Sequence, residues 1–369
     1  METAIILKIQ DLARGGAGVS RDSDGRVIFV PFTAPGDLVR VRVVEENKRY
    51  AMAVLLEVLE PGAIRQAPRC PAFGTCGGCE WQHLPYEYQW KTKSEGVFDA
   101  LRRVQVQPPE HYDLIPAERI WEYRNRVQLR GFKNELGFFR SGTQDLVPVS
   151  RCDLAREEIN QSWEAVRFEG EAYSSPYKVE LEVSTQGALM KTWNSKHSAQ
   201  GFRQVHDEQN EKLRGWIAEQ LPPAFQLFDL FGGGGNLSLP LINQMREIHC
   251  VDLSVPHQRA PEIPAHFHFH RSSVLPWLMK HQSAGSRLPA VAILDPPRVG
   301  LGEDFSKIAQ SLETLGVQAL VSVGCDLDAW CRDLSRWVKR GWKFEKMMVI
   351  DLFPQTSHVE SVSYLTRFV

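Results

Sequence analysis

The stretch ALVSVGCDLDAWCR, residues 319–332, decides how the rest of the chain is interpreted. Residues 319–323 form a short apolar run rich in Val, which predicts a buried strand. Residues 328–337 have helical spacing, and one face of that helix consists of Leu327, Trp330, Leu334 and Trp337. Cys325 lies between the two elements, at the carboxyl end of a strand, where open α/β sheets place their ligands.

The position of Cys325 is also one at which a thiol can become reactive. Unpaired backbone N–H groups and the positive end of the helix dipole would favour its thiolate. A buried structural cysteine is an equally good interpretation of Cys325 taken alone. The neighbouring stretches are therefore needed to choose between a nucleophile and a core residue.

From about Ala224 the chain alternates between strands and helices. LFDLF (227–231) predicts a strand, the four glycines at 232–235 a tight turn, and Asn236 the start of a helix. Further strands are predicted at 249–253, 290–298, 317–323, 343–350 and 361–369. A strand, a glycine-rich turn, a helix and a second strand that ends in an acid about 20 residues later are typical of nucleotide-binding sheets.

The glycine turn alone leaves NAD binding open, and the segment LDPPR (294–298) favours a methyltransferase instead. Enzymes that methylate amino groups carry Asp/Asn-Pro-Pro followed by an aromatic residue that stacks on a flipped base. Arg298 takes that place here, which argues against methylation on nitrogen.

The composition is that of an ordinary globular chain, since 43% of the 369 residues are hydrophobic, and the length suggests two or three domains. No apolar run approaches the ~18 residues of a membrane span. The start, METAIILKIQ, lacks the basic region and the cleavage site of a secretory signal. We therefore expect a cytoplasmic protein without a membrane partner.

The net charge of −2 does not by itself indicate a nucleic-acid partner. Charge is unevenly distributed, however, because residues 119–151 contain seven Arg or Lys and three acids. That local excess could contact phosphates, and a solvated charged face is the alternative.

Three of the seven cysteines are clustered, as Cys70, Cys76 and Cys79 are spaced C-x5-C-x2-C. An odd number of cysteines in a cytoplasmic chain argues against a disulfide framework. Gly77-Gly78 would let the backbone fold tightly around a metal, and Cys152 is the best candidate for a fourth ligand. Thiolate ligands suit zinc or an iron–sulfur cluster. The spacing leaves both open, together with a third interpretation as unrelated buried thiols.

Residues 1–62 have the pattern of a small β domain, with alternating strands at 25–30, 37–46 and 51–60 and turns rich in Gly and Pro. Short strands over this length predict a five-stranded OB-like barrel. The run FVPFTAPGDLVRVRV (29–43) resembles the TRAM domain, an OB-like module attached to RNA-modifying enzymes.

Residues 63–203 are predicted to form a central domain, which begins with a helix from about Leu84 to Val104. WEYRNRVQLRGF (121–132) and ELGFFR (135–140) predict two strands with Arg on their polar positions, and residues 174–193 predict more β-structure. The third predicted domain spans residues 204–369.

Several separated stretches agree, and the sequence resembles the RNA uracil-C5 methyltransferase family. The matching segments run in order over nearly the whole chain: the TRAM-like domain, RCPAFGTCGGCEWQHLPYEYQ, YRNRVQL with LGFF, GFRQV, DLFGGGGNLSLPL, LDPPRVGL, GCDLDAWCRDL and DLFPQTSHVESV. A TRAM domain together with four cysteines is most similar to the branch that acts on 23S ribosomal RNA, since the branch acting on the tRNA T-loop typically lacks both.

The resemblance implies an α/β fold: a Rossmann-like class I methyltransferase domain, an N-terminal OB-like β-barrel and a central α+β iron–sulfur region. It implies a [4Fe–4S] cluster held by Cys70, Cys76, Cys79 and Cys152. It implies S-adenosylmethionine contacts by Gln204, Phe231, Asn236, Asp252 and Asp295. It implies Cys325 as nucleophile and Glu360 as base in the methylation of a uridine in 23S ribosomal RNA, by a protein that we expect to be monomeric.

The chain departs from the family around the nucleophile. The family usually has Ser-Cys-Asn-Pro where this chain has Gly324-Cys325-Asp326-Leu327. Asp326 can still cap the helix, but it places a negative charge beside the thiol. Gly233 replaces a frequent Cys, and Ser273 is the nearest candidate for the family's polar residue after the third strand. Three alternatives stay open: the same chemistry on tRNA, an RNA-binding homologue with impaired catalysis, and an iron–sulfur sensor.

Overall fold

The structure is a computed structural model that describes residues 4–195, 203–256, 260–282 and 288–367. Contacts divide the chain into two compact units. The first unit comprises Met1–Gly96, Glu118–Asn194 and Phe353–His358, and the second comprises Val97–Ala117, Ser195–Leu352 and Val359–Val369. Within the described ranges, no helix combines the length and the apolar character that a membrane crossing requires.

The first unit begins with a six-stranded sheet in the order β1-β5-β6-β4-β3-β2. Its strands are β1 (Ile5–Lys8), β2 (Asp11–Leu12), β3 (Gly18–Arg21), β4 (Val27–Val30), β5 (Leu38–Glu46) and β6 (Tyr50–Glu60). Three register irregularities between the long β5 and β6 bend the pair, which lets the sheet curl around a core that contains Ile28, Val30 and Val41. The predicted OB-like barrel is confirmed, with six strands instead of five.

Beyond the barrel the chain forms the helix α1 (Tyr86–Arg103) and the strand β7 (His111–Ile115). A five-stranded antiparallel sheet of the first unit follows, in the order β10-β9-β8-β11-β12. Its elements are β8 (Arg126–Phe132), β9 (Glu135–Phe139), β10 (Leu146–Pro148), α2 (Glu157–Gln161), α3 (Trp163–Gly170), β11 (Tyr177–Val183) and β12 (Leu189–Trp193). Alternate residues such as Leu129 and Val179 pack against Ile159 and Trp163 of the two helices, which gives the sheet one apolar face.

The second unit contains an eight-stranded sheet in the order β15-β14-β13-β16-β17-β19-β18-β7. The remaining elements are α4 (Asp207–Gln220), β13 (Ala224–Leu230), β14 (Met245–Asp252), β15 (Phe267–Arg271), α5 (Val274–Gln282), β16 (Ala290–Leu294), α6 (Phe305–Thr314), β17 (Val317–Gly324), α7 (Leu327–Lys339), β18 (Lys343–Ile350) and β19 (Glu360–Thr366). Five neighbouring strands, β15 to β17, are parallel, and β19 enters antiparallel between β17 and β18. The predicted Rossmann-like α/β fold is confirmed.

The sheet has a switch point at β13. From β13 the chain proceeds outward to β14 and β15, and then returns to β16 on the other side of β13. Open α/β sheets bind ligands at the carboxyl ends of the strands where the order reverses in this way. The fold therefore places a ligand crevice beside the end of β13.

Two local predictions differ from the structure. No α-helix starts at Asn236, because the glycine turn continues into a short 3₁₀ turn, Leu239–Leu241, in which Pro240 lacks an N–H donor. The strand predicted over 290–298 ends at Leu294, since Pro296 and Pro297 cannot continue a ladder. The amphipathic helix after Cys325 is present as α7, with Trp330, Leu334 and Trp337 buried.

Candidate active site and cysteine cavity

One edge of the eight-stranded sheet collects four of the predicted site residues. Phe231 follows β13, Asp252 ends β14, Asp295 follows β16 and Cys325 follows β17. These four strands are parallel neighbours in register, so their carboxyl ends lie side by side. Residues that are far apart in the sequence therefore meet at the switch point.

Cys325 and Glu360 face each other across an antiparallel ladder. Gly324, the last residue of β17, pairs with Ser361 of β19. In an antiparallel pair, the residue after one partner lies opposite the residue before the other, so the register extends to Cys325 opposite Glu360. Side chains in this relationship share one face of the sheet. The predicted nucleophile and the predicted base are thus neighbours.

Glu360 is buried without hydrogen bonds to its carboxyl group. The residue is only 1% exposed, and neither carboxyl oxygen has a hydrogen-bond partner among the described residues. Burial, and secondarily the nearby Asp295, raises the pKa of Glu360 well above its ordinary value. The surroundings of Glu360 therefore favour its protonated form in the free protein.

The thiol of Cys325 is half-buried, and its surroundings disfavour the thiolate. Burial is the largest cause that raises its pKa, to about 12, and Glu360 and Asp295 add to it, while the charge of Arg298 acts in the opposite direction. A backbone hydrogen bond lowers the pKa of Cys325, in the direction that the sequence suggested, but desolvation and two carboxyl groups outweigh it.

Asp326 acts as the N-cap of α7. Its carboxylate accepts a hydrogen bond of 2.9 Å from the backbone N–H of Ala329, while its own backbone is extended. This is the capping role that the sequence predicted. The largest causes that raise the pKa of Cys325 are burial, Glu360 and Asp295, and the cap is not among these largest causes.

The turn after β13 needs glycine at a defined point. A Cβ atom on Gly232 would lie 2.5 Å from the carboxyl group of Asp229, and Gly235 has a φ of +79°. Phe231 also has a positive φ, +63°, which is rare for an aromatic residue. The N–H of Gly233 donates to a carboxyl oxygen of Asp252 over 3.3 Å. The turn thus packs directly onto two acids.

Three carboxyl groups share this edge of the sheet. Asp229 is fully buried, accepts a hydrogen bond from the Ser238 hydroxyl, and has one carboxyl oxygen without a partner among the described residues. Burial raises its pKa to about 6. Burial, followed by Asp229 and Asp252, raises the pKa of Asp295 to about 7. Three acidic side chains are therefore concentrated at the switch point, and their proximity and burial favour the protonated forms of Asp229 and Asp295.

Asn236 and Gln204 both lie close to α4, the first through hydrogen bonds and the second through its position in the chain. The amide of Asn236 exchanges two hydrogen bonds, of 2.8 and 2.9 Å, with the amide of Asn210 on α4. Gln204 lies just before α4 and is 3% exposed. The side chain of Asn236 therefore already has a fixed orientation within the second unit.

In the first unit, the four predicted cysteine ligands line one cavity of about 200 Å³. Cys70 and Cys152 are fixed through their backbones, since Cys70 N–H donates to Gln82 and Cys152 N–H donates to Asn160. A Cβ atom on Gly77 would lie 2.9 Å from the backbone nitrogen of Ser141, so the loop needs glycine there. The sequence expectation of a tight glycine-containing loop around the thiols agrees with this geometry.

Thiols with raised pKa values and a buried arginine line the cavity together. Burial raises the pKa of Cys79 to about 12 and raises those of Cys76 and Cys152 above their ordinary values. Arg124 also lines the cavity, and its Nε atom is buried without a hydrogen-bond partner. A cation without full hydrogen bonding beside four thiols indicates a site for a negatively charged group.

Comparisons with known proteins agree with this geometry. A family model described as the TRAM domain of tRNA (uracil(54)-C(5))-methyltransferase matches residues 5–64. A 23S rRNA (uracil(1939)-C(5))-methyltransferase of Shewanella halifaxensis is 27% identical, over 98% of this chain and 96% of its own. An uncharacterized RNA methyltransferase of Bdellovibrio bacteriovorus is 28% identical, over 98% and 94%. The resemblance to the RNA uracil-C5 methyltransferases is confirmed.

A solved structure with a similar fold was also found. The tRNA (uracil-54, C5)-methyltransferase of Pyrococcus abyssi, in complex with S-adenosyl-L-homocysteine, superimposes with a TM-score of 0.72 and 20% identity, over 98% of this chain and 99% of that one. The fold of that protein thus extends over nearly the whole chain. Together with the relatives above, the prediction that the chain is a methyltransferase is confirmed.

The basic residues between 119 and 151, which the sequence offered as possible phosphate contacts, interact in part with other groups of the protein. Arg124 lines the cysteine cavity, Arg126 forms a 2.8 Å ion pair with the buried Glu182, and Arg151 pairs with Asp153. Arg130 and Lys133 instead lie over the aromatic rings of Phe139 and Phe132. Some of the seven basic residues between 119 and 151 are therefore engaged by groups of the protein itself.

Sequence reasoning missed three polar residues of these sites. Asp229 is an acid inside the apolar strand LFDLF, and that interruption was the available signal. Arg124 was grouped with the other basic residues between 119 and 151, although it lies between the buried residues Tyr123 and Asn125, just before β8. Asn210 gave no signal, because only the fold brings α4 against the turn that carries Asn236.

Proposed function

We propose that the chain transfers a methyl group from S-adenosylmethionine to C5 of a uridine in 23S ribosomal RNA. The observation that carries this proposal is the position of Cys325 opposite Glu360 at the ligand edge of the sheet. A nucleophile and a base that act on adjacent carbons of one ring need this proximity. Relatives named for 23S ribosomal RNA align with 98% of the chain or more, which supports the choice of RNA.

The chemistry is covalent catalysis. C5 of uracil is a weak nucleophile, and attack by the Cys325 sulfur on C6 forms a C6–S bond and converts the ring into an enolate that can take up a methyl group at C5. S-adenosylmethionine supplies that methyl group. Glu360 then accepts the C5 proton, the C5–C6 double bond re-forms and the C6–S bond breaks. The uracil must leave its base stack to reach both side chains.

Both reacting residues must lose a proton before they act. Cys325 attacks as a thiolate, and Glu360 accepts a proton only as a carboxylate. Burial and neighbouring carboxyl groups raise the pKa of both, which favours their neutral forms in the free protein. The chemical steps should therefore become faster as the pH rises through the neutral range.

The switch-point residues fit a cationic methyl donor. S-adenosylmethionine carries positive sulfonium and ammonium groups, and Asp229, Asp252 and Asp295 supply the opposite charge. Asp252 would accept the ribose hydroxyls, as the family resemblance implies, and Phe231, Asn236 and Gln204 would complete the site.

The cysteine cavity would hold a [4Fe–4S] cluster, and zinc is the alternative. A cubane takes four thiolates at its corners, and four thiols surround one cavity of about 200 Å³. Four thiolates also suit zinc, so metal analysis has to distinguish the two. Arg124 would offset the negative charge, and the cluster would have no part in methyl transfer.

The proposal is tested by radiolabelled methyl transfer to two transcripts without modifications, 23S ribosomal RNA and an elongator tRNA. We expect label in 5-methyluridine of the 23S transcript, and none with Cys325→Ala. Label in the tRNA alone would assign the second candidate, which the tRNA description of the matched TRAM model favours. Binding of both transcripts without transfer would indicate an impaired homologue and would contradict the proposal.

A further inference from the structure

A short segment of the chain connects the two units just before Glu360. Phe353–His358 belongs to the first unit by its contacts, whereas β18 before it and β19 after it belong to the second. Only Val359 separates this connecting segment from Glu360. The segment is therefore the connection between β18 and β19, and Glu360 just after it pairs with Ile350 of β18.

Gln355 is the best-held residue of the connecting segment. Its N–H donates to the side-chain oxygen of Gln89 over 3.0 Å, and the Gln89 amide donates back to the Gln355 side-chain oxygen over 3.0 Å. Its carbonyl oxygen accepts from the N–H groups of both Glu80 and Trp81, over 3.0 and 3.1 Å. Gln355 has a φ of +70° and is 1% exposed, so these bonds hold a backbone conformation that is otherwise unfavourable.

Two further backbone groups of the segment are held in the same way. The N–H of Ser357 donates to the carboxylate of Glu80 over 2.8 Å. The carbonyl oxygen of Pro354 accepts from the Tyr123 hydroxyl over 3.0 Å. Residues elsewhere in the first unit thus form hydrogen bonds with backbone groups along most of the segment.

Two of these partners come from the loop that carries Cys70, Cys76 and Cys79, and the other two lie close to the cysteine site in the sequence or contact that loop. Glu80 and Trp81 follow Cys79 directly, and Tyr123 precedes Arg124, which lines the cysteine cavity. Gln89, which is fully buried, also donates to the carbonyl oxygens of Trp81 and Leu84. One amide therefore ties the cysteine loop and the connecting segment together.

We propose that Gln89 and Glu80 are positioning residues for Glu360. They hold the connecting segment in one conformation. A group bound by Cys79 stiffens the loop that carries Glu80 and that Gln89 contacts through Trp81. This inference rests on the proposed role of Glu360 as the base. A base that is out of place slows removal of the C5 proton, while attack by Cys325 and methyl transfer, which precede it, do not need Glu360 as a base.

The test separates these two steps in single-turnover reactions with the 23S transcript and S-adenosylmethionine. Glu80→Ala removes the acceptor for Ser357, and Glu80→Gln keeps an oxygen there. Gln89→Met removes the bonds to Gln355, and Gln66→Met is its control, because Gln66 also donates to the Leu84 carbonyl oxygen but has no bond to the segment in the structure.

We expect Glu80→Ala and Gln89→Met to resolve the methylated protein–RNA adduct about tenfold more slowly, a fraction of the ~10²–10⁴-fold that a positioned base contributes. Methyl transfer should change by less than about threefold, and Glu80→Gln and Gln66→Met should resolve the adduct at the wild-type rate. Wild-type resolution in Glu80→Ala and Gln89→Met, or an equal fall in both steps, would overturn the proposal. If Glu360→Gln does not accumulate the methylated protein–RNA adduct, the proposed role of Glu360 as the base is itself contradicted.

A second measurement does not depend on activity. Amide hydrogen exchange reports on Gln355 and Ser357 in anaerobically purified wild-type protein and in Cys79→Ser. We expect these two amides to exchange at least about tenfold faster in Cys79→Ser, while the amides of β19 between Val362 and Leu365 keep their protection. Equal protection of Gln355 and Ser357 in both proteins would show that the cysteine site does not stiffen the segment.

Discussion

Asp229 raises the pKa of Asp295, although the two residues are 66 positions apart in the sequence. They come together because β13 and β16 are parallel neighbours whose carboxyl ends are level. Burial is the larger cause, and together they bring the pKa of Asp295 to about 7, while that of Asp229 is about 6. Near neutral pH, the site therefore carries protons that a cationic ligand would displace.

The first prediction concerns the pH dependence of cofactor binding. A positively charged methyl donor favours the ionised carboxylates, so the Kd of S-adenosylmethionine should fall as the pH rises from 6 to 8, by up to about tenfold per unit below pH 7. Calorimetry in two buffers of different ionisation enthalpy should show proton release. S-adenosylhomocysteine, which lacks the sulfonium charge, should depend less on pH. A pH-independent Kd would contradict the assignment of Asp229 and Asp295 to this site.

The second prediction is a gain of stability in Asp229→Asn. A carboxyl group with a raised pKa binds its proton more tightly in the folded protein, so its contribution to stability is present at low pH and is lost as the pH rises through its folded pKa of about 6. Removal of the charge should raise the free energy of unfolding at pH 8 by up to about 3 kcal/mol, with little gain at pH 4. Denaturant unfolding at both pH values checks this, and a loss of stability at pH 8 would contradict it.

The third prediction concerns Asp326. Because its carboxylate caps α7 and is not among the largest causes that raise the pKa of Cys325, Asp326→Asn should leave the pH profile of Cys325 alkylation unchanged. Asn keeps the cap, whereas Asp326→Ala should reduce the free energy of unfolding by about 1 kcal/mol. Faster alkylation of Asp326→Asn at neutral pH would show that the carboxylate acts on the thiol after all.

The fourth prediction concerns the cysteine cavity. Anaerobically purified protein should be brown and contain about four irons per chain. Cys152→Ser should lose iron and destabilise the first unit, because Cys152 also organises a loop through Asn160. Cys331→Ser, which changes a buried cysteine of α7, should keep its iron. Stoichiometric zinc in place of iron would contradict the cluster assignment.

The fold could be predicted from local signals where these are strong. The glycine turn after β13, the apolar runs of β16 and β17 and the amphipathic α7 each predict their own element. The opposition of Cys325 and Glu360 could not be predicted in this way. It depends on the insertion of β19 between β17 and β18, a pairing between distant parts of the chain that no local pattern specifies.

Electrostatics were the least predictable part of the site. The helix start after Cys325 suggested a thiolate, yet burial and two carboxyl groups, which arrive from β16 and β19, have the larger effect. Arg124 was grouped with the other basic residues between 119 and 151, yet it lines a cavity whose walls come from several segments. In both cases the charge on a residue depends on neighbours that only the folded chain provides.

The most direct test of the central claim is a denaturing gel of Glu360→Gln incubated with the 23S transcript and S-adenosylmethionine. The variant keeps the nucleophile and the cofactor site, so attack and methyl transfer can proceed while the C5 proton remains. We predict a shifted protein–RNA band that persists for minutes or longer and disappears when Cys325→Ala is added to Glu360→Gln. Full turnover by Glu360→Gln, or a band that survives without Cys325, would contradict the assignment of base and nucleophile.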